Sequence, residues 1–330
     1  MNQMQESVWT APHFEFHTGE VMPELRIGYI TVGQPGGVPV VILHGTTGSA
    51  KGLLSPEFAG ELFGPGQALD ANKYFIVMPD AIGAGQSSKP SDGLRMKFPR
   101  YNYLDMVRAQ YRLVTEGLGL KHLRMVLGNS MGGMQAWLWG GMYPDFMDLL
   151  VPMAATPAPM SGRNWMMRRQ IIDAIRQDPQ WQQGEYLTQP PSLQFASVFF
   201  ALATNGGTRH LQAIAPTREA ADQLVWQRLK APFAGDANDH LYLWEASRDY
   251  DPVSLLPAIR ARVRAIASED DERNPPELGL LQARLDQLQD AQALWIPASP
   301  DTTGHATTGQ AKWWKDILAQ WLNQTSADCP

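Results

Sequence analysis

The sequence predicts an α/β protein: a mostly parallel central sheet with helices on both faces and a helical insertion before the last strands. Three observations carry that expectation. Short β-branched runs alternate with helix-like segments through the first half of the chain. One of these runs leads straight into Gly128-Asn129-Ser130-Met131-Gly132, which opens an apolar, helix-like stretch. Strand-like sequence then disappears over a long interval and returns near the end.

Taken in order, residues 25–32 (LRIGYITV) and 38–44 (VPVVILH) are strand-like and are separated by the turn signal GQPGG. Residues 74–78 (YFIVM) form a third strand candidate, stopped by Pro79. Residues 104–116 place Leu104, Val107, Tyr111 and Val114 at helical spacing. Residues 123–127 (LRMVL) and 149–154 (LLVPMA) read as buried strands on either side of the helix-like MQAWLWGGMY. Runs apolar at every position suit a parallel sheet covered on both faces.

From residue 156 to about 257 the alternation stops and Trp, Met, Gln and Pro become frequent. Residues 165–176 and 219–230 are amphipathic, so this stretch is expected to be a helical cap. Strands return at 261–267 (ARVRAIA) and 293–297 (ALWIP), and a last helix is expected near 311–323. The expected organisation is a core at 1–155, a cap at 156–257 and the rest of the core at 258–330.

Composition narrows the function. The chain has 330 residues, 44% hydrophobic and 18% charged, enough to bury a large core. Its 27 basic and 33 acidic residues leave a net charge of −6, which argues against binding a phosphate backbone. A single cysteine, Cys329, excludes an internal disulfide framework and a multi-cysteine metal site. No apolar run is long enough to span a bilayer, and the N-terminal residues lack the cationic and apolar stretches of a secretory signal. The expected protein is a cytoplasmic enzyme or binding protein with no membrane, nucleic-acid, metal or cofactor partner.

The sharpest chemical signal is the G-x-S-x-G at 128–132. Between a strand and a helix, such a turn exposes its serine hydroxyl above the sheet edge, and the helix-starting amide of Met131 is available to an oxyanion. A serine nucleophile needs a base, and the base an orienting acid. In the order Ser, acid, His, the chain supplies Asp270 or Asp271 after the strand at 261–267, and His305 in the loop after 293–297. Asp271 is taken as the acid, with Asp270 left to solvate the loop. His13, His17, His122 and His210 sit in ordinary surface or strand positions, and His240 in a polar loop. The second oxyanion donor is expected in His44-Gly45-Thr46-Thr47-Gly48, from the amide of Thr46. Gly83-Ala84-Gly85-Gln86-Ser87 lacks the third glycine and following helix of a dinucleotide loop.

VILHG, PDAIGAGQSSKP, GNSMGG, SEDDERNPP and TGHA together resemble the α/β-hydrolase superfamily over about residues 25–320. GNSMGGMQAW followed by MYPD, DPQWQQGEY, and FAGDANDHLYLWEASRDYD resemble, within it, the homoserine O-acetyltransferase family. The resemblance implies Ser130, Asp271 and His305 as a triad, amides of Thr46 and Met131 as the oxyanion hole, and a cytoplasmic, often dimeric enzyme. Two departures concern the acceptor. The family's Gly-His-Asp is here Gly304-His305-Ala306, and its Thr-Tyr-Arg-Ser segment is replaced by Ala203-Thr204-Asn205-Gly206-Gly207. Homoserine would then lack partners for both of its charged ends. The expected function is therefore hydrolysis of a carboxylic ester or related acyl compound. Acetyl-CoA-dependent O-acyl transfer is the alternative.

Overall fold

A computed structural model describes residues 4–324, so Cys329 lies outside the described residues. Eight strands form one sheet: β1 (Met4–Glu15), β2 (Val21–Val32), β3 (Val38–Leu43), β4 (Tyr74–Pro79), β5 (Leu123–Asn129), β6 (Met147–Met153), β7 (Arg262–Ser268) and β8 (Ala291–Ile296). Their order across the sheet is β1-β2-β4-β3-β5-β6-β7-β8. From β4 to β8 every neighbouring pair is parallel, while β2 runs antiparallel to both β1 and β4.

The strand repeat explains why both faces are covered. In β3, Val41 and Leu43 enter one apolar cluster with the helices Tyr103–Arg112 and Met131–Met142. Val40 and Ile42, one residue out of phase, enter another with Phe58, Leu62, Leu318 and Trp321. Alternate side chains point to opposite faces, so two buried faces demand apolar residues at every position. The helix Met131–Met142 is buried almost throughout, because it packs against β5 and β6 while more of the same apolar cluster covers its outer side.

Every strand expected from sequence forms, with ends shifted by a few residues. The hairpin strand β1 was not expected. Its pattern is mostly exposed, and Pro12 and His13 interrupt its β-character, so it forms by pairing along β2 rather than by burying an apolar run. The segment expected as one helix at 104–116 ends as α-helix at Arg112 and continues as a π-turn over Leu113–Gly117. The last helix covers Lys315–Asn323, after a 3-10 turn at Ala311–Trp313.

Between β6 and β7 the chain carries the helices Gly162–Arg176, Pro191–Thr204, Thr208–Ile214, Arg218–Lys230 and Ala237–Glu245. Among the described residues no helix is long and apolar enough to cross a membrane. Because β3, β5, β7 and β8 are parallel, the loops that follow them open at one edge of the sheet.

Candidate active site

Ser130 sits between β5 and the helix Met131–Met142 with φ 56° and ψ −112°, a left-handed conformation that a non-glycine residue adopts only under constraint. Two glycines make the turn possible. A Cβ on Gly128 would lie 2.0 Å from the Gly132 carbonyl oxygen, and one on Gly132 would lie 2.2 Å from the Leu43 carbonyl oxygen. The Ser130 amide donates to the Met153 carbonyl at 2.9 Å, which ties the turn to the end of β6.

The loops after β7 and β8 bring the other two groups to it. Ser130 Oγ lies 2.7 Å from His305 Nε2, and His305 Nδ1 lies 2.9 Å from both carboxylate oxygens of Asp271. An ionised carboxylate can only accept, so the imidazole carries its proton on Nδ1 and leaves Nε2 free to accept from the serine hydroxyl. Burial pushes the His305 pKa down and Arg273 and Arg168 push the same way, against the pull of Asp271. The imidazole is thus held neutral below its ordinary value of 6.5. Burial would raise the Asp271 carboxyl, but His305, the Asn274 side chain and the Arg273 amide together hold it below its ordinary value.

Of the two acids left open by the sequence, Asp271 is the one against the imidazole. Asp270 instead accepts from Ser268 Oγ at 2.5 Å, Thr302 Oγ1 at 2.7 Å and the Gly304 amide at 3.2 Å, so it braces the two loops against each other. Asn274 had no signal in the sequence. Its Nδ2 donates to Asp271 Oδ2 and to the Ala154 carbonyl, both at 3.0 Å, and so pins the acid to the end of β6.

The loop after β3 lies beside the serine: a Cβ on Gly45 would be 3.7 Å from Ser130 Cβ. Among the described residues neither the Thr46 nor the Met131 amide donates to a protein acceptor, and the latter opens its helix, where such amides are left free. His44, unassigned from sequence, shapes this loop. Its Nε2 accepts from the Ala81 amide at 3.0 Å, so Nδ1 is the protonated nitrogen and donates to the Gly45 carbonyl at 2.8 Å. Burial holds the His44 pKa down, which keeps that tautomer neutral.

Ser130 and His305 open into a cleft of about 670 Å³. The segment between β6 and β7 lines it with Phe200, His240 and Trp244 from its helices and Phe233 from the loop between the helices Arg218–Lys230 and Ala237–Glu245, and Ala306 lines it beside the histidine. Asn205, in the segment that departs from the family pattern, lines it too. Among the described residues no Asp or Glu lines it, so an ammonium group would find no counter-charge from them there. The other expectation, that an anionic end would find no arginine, does not hold. Arg273 lines the cleft from the loop after β7, and Arg168 reaches Thr46 Oγ1 at 3.4 Å from the helix Gly162–Arg176. A cation therefore reaches the site from positions other than the departed segment.

The profile of the alpha/beta hydrolase fold family matches residues 38–284. The chain is 30% identical to a probable acyltransferase of Methanothermobacter thermautotrophicus over 84% of its length and 86% of that protein. It is 29% identical to a homoserine O-acetyltransferase of Trichormus variabilis, covering 87% of this chain and 85% of that one. Its structure superposes on the homoserine O-acetyltransferase of Bacillus anthracis with a TM-score of 0.85, at 21% identity over 98% of this chain and 99% of that one. It superposes on esterase E22 with a TM-score of 0.84, at 19% identity over 97% and 100%. At those identities the superpositions establish a common fold.

Proposed function

The chain belongs to the alpha/beta hydrolase fold family, among enzymes that hydrolyse or transfer acyl groups, and from that premise we propose that it cleaves a carboxylic ester through an acyl-enzyme on Ser130. The observation that carries this is the unbroken hydrogen-bonded chain Ser130–His305–Asp271, buried at the mouth of a cleft. His305 takes the hydroxyl proton as Ser130 Oγ attacks the ester carbonyl, and Asp271 holds the resulting imidazolium. The amides of Thr46 and Met131 receive the oxyanion, each typically contributing about 2.7–4 kcal/mol of transition-state stabilisation. His305 then passes its proton to the departing alcohol. Water attacks the acyl-enzyme with His305 again as base, releasing the acid and restoring the serine. The helices between β6 and β7 act as the cap over the substrate.

Transfer of the acyl group from acetyl-CoA to an alcohol is the second reading, favoured by the homoserine O-acetyltransferases among the relatives. Hydrolysis is placed first because Ala306 and the lining without carboxylates leave an amino-acid acceptor's ammonium unpaired. The two are separated by offering purified enzyme 4-nitrophenyl acetate alone, then acetyl-CoA with homoserine or serine, and following free thiol. Hydrolysis predicts nitrophenol release without any acceptor. Thiol release strictly dependent on the amino acid would establish transfer instead.

A further inference from the structure

Arg168 and Arg273 are two cations at the active site, the first fully buried and the second half-buried, and among the described residues neither is hydrogen-bonded to a carboxylate. Arg168 is fully buried; its Nε donates to Asn164 Oδ1 at 3.1 Å and its Nη2 to Thr46 Oγ1 at 3.4 Å, while its Nη1 has no partner. Arg273 donates from Nε to the Thr204 carbonyl and hydroxyl, at 3.2 and 3.0 Å. Among the described residues its two Nη groups have no acceptor, and it lines the cleft beside Ser130 and His305. Both guanidiniums lie against the Phe200 ring, their Cζ atoms 5.7 and 4.2 Å from its centroid.

The nearby acids are already engaged. Asp271 accepts from His305, from Asn274 and from two backbone amides, and Glu272 accepts from the amides of Gly207 and His305. Burial and then the charge of Arg168 bring the Arg273 pKa down to about 9, against the pull of Asp271 and Glu272. On the same wall Ser197 Oγ is buried and also unpartnered. Two neighbouring like charges with donors to spare form a stable arrangement when an anion completes it.

Resting on the acyl-enzyme reading above, we infer that Arg273 is a specificity residue that binds a carboxylate carried by the ester substrate. Arg168 adds its charge from behind and positions Thr46. The fitting substrate is an anionic ester without an ammonium group, since among the described residues no Asp or Glu lines the cleft. It is either the half-ester of a dicarboxylic acid or the ester of a simple hydroxy acid.

Paired esters test this and tell the two sources apart. On the acyl side, mono-4-nitrophenyl succinate is compared with 4-nitrophenyl pentanoate, and on the alcohol side 4-acetoxybutanoate is compared with pentyl acetate. The wild type should prefer the charged member of one pair by about tenfold or more in kcat/KM, as a charge-assisted hydrogen bond predicts. Arg273→Met should abolish that preference and Arg273→Lys should keep part of it. A wild type with no preference for the charged member in either pair overturns the inference, and so does a folded Arg273→Met that keeps the preference. If Arg273→Met does not fold, the wild type's inhibition by butanoate and by butanamide decides. Tighter binding of the acid is expected, and equal inhibition constants are contrary. Neutral esters cleaved through Ser130 with no charge preference would sink this inference alone, whereas inertness toward every ester would sink the acyl-enzyme reading with it.

Discussion

Arg273 does two things at once, because the charge that would hold a substrate carboxylate also presses on the base. It lowers the pKa of His305, as burial does more strongly. His305 must be neutral to take the proton from Ser130, so the acid limb of the kcat/KM profile reports its pKa. Removing a neighbouring cation makes the protonated imidazole easier to form. Arg273→Met should therefore move the acid limb for a neutral ester to higher pH, and a profile unmoved or moved to lower pH would deny the coupling. Ser130 and His305 were legible in the sequence because chain order and strand-end position single them out. The choice between Asp270 and Asp271 was not fully legible: adjacent acids differ only in which way each side chain turns. Arg273, Asn274 and His44 were invisible for a related reason. Their roles depend on what the fold brings near them: Thr204, Ala154 and Ala81 respectively.

The strand–turn–helix unit around Ser130 is where local sequence and tertiary structure agree most closely. The glycines at 128 and 132 answer to clashes with backbone, which cannot move aside as a flexible side chain can. Gly132→Ala would push a methyl group into the Leu43 carbonyl, so the turn and the β3 loop must separate. Overpacking of this kind costs about 1–3 kcal/mol. The variant should melt at lower temperature and, while still folded, lose about tenfold or more in kcat/KM, because the serine and the Thr46 loop shift apart. Wild-type melting and turnover would show that the contact is not strained. The parallel strands were legible because burial on both faces writes itself as unbroken apolar runs. The helix Pro191–Thr204 was not read, although it supplies Ser197 and Phe200 to the cleft. It is apolar on more than one side, and its role is to cover a site rather than to form a stripe against one layer.

At the scale of the whole molecule, three histidines are held neutral by burial: His44, His240 and His305. Each has a folded pKa below the unfolded value of 6.5, so the unfolded chain binds protons first as the pH falls. Their contribution is present above pH 6.5 and is lost as the pH falls below it. Asp239 works in the opposite sense. Burial raises its pKa from 3.8 to about 6, so its neutral form favours the folded state as the pH falls through that range. Three groups outweigh one, and Tm should be lower at pH 5 than at pH 7; an equal or higher Tm at pH 5 would contradict the account. The run of helices between β6 and β7 was legible as a change in composition after residue 155. The charge character of the cleft was not, because it is assembled from the loop after β7 and a helix between β6 and β7 that meet only in three dimensions.

The covalent intermediate offers the most direct test. Enzyme mixed rapidly with 4-nitrophenyl acetate, quenched in acid and digested, should carry one acetyl group per chain on the peptide containing Ser130. The label should be absent from Ser130→Ala and strongly reduced in His305→Ala. Acetyl found on another residue, or Ser130→Ala turning over the ester as fast as the wild type, would contradict it.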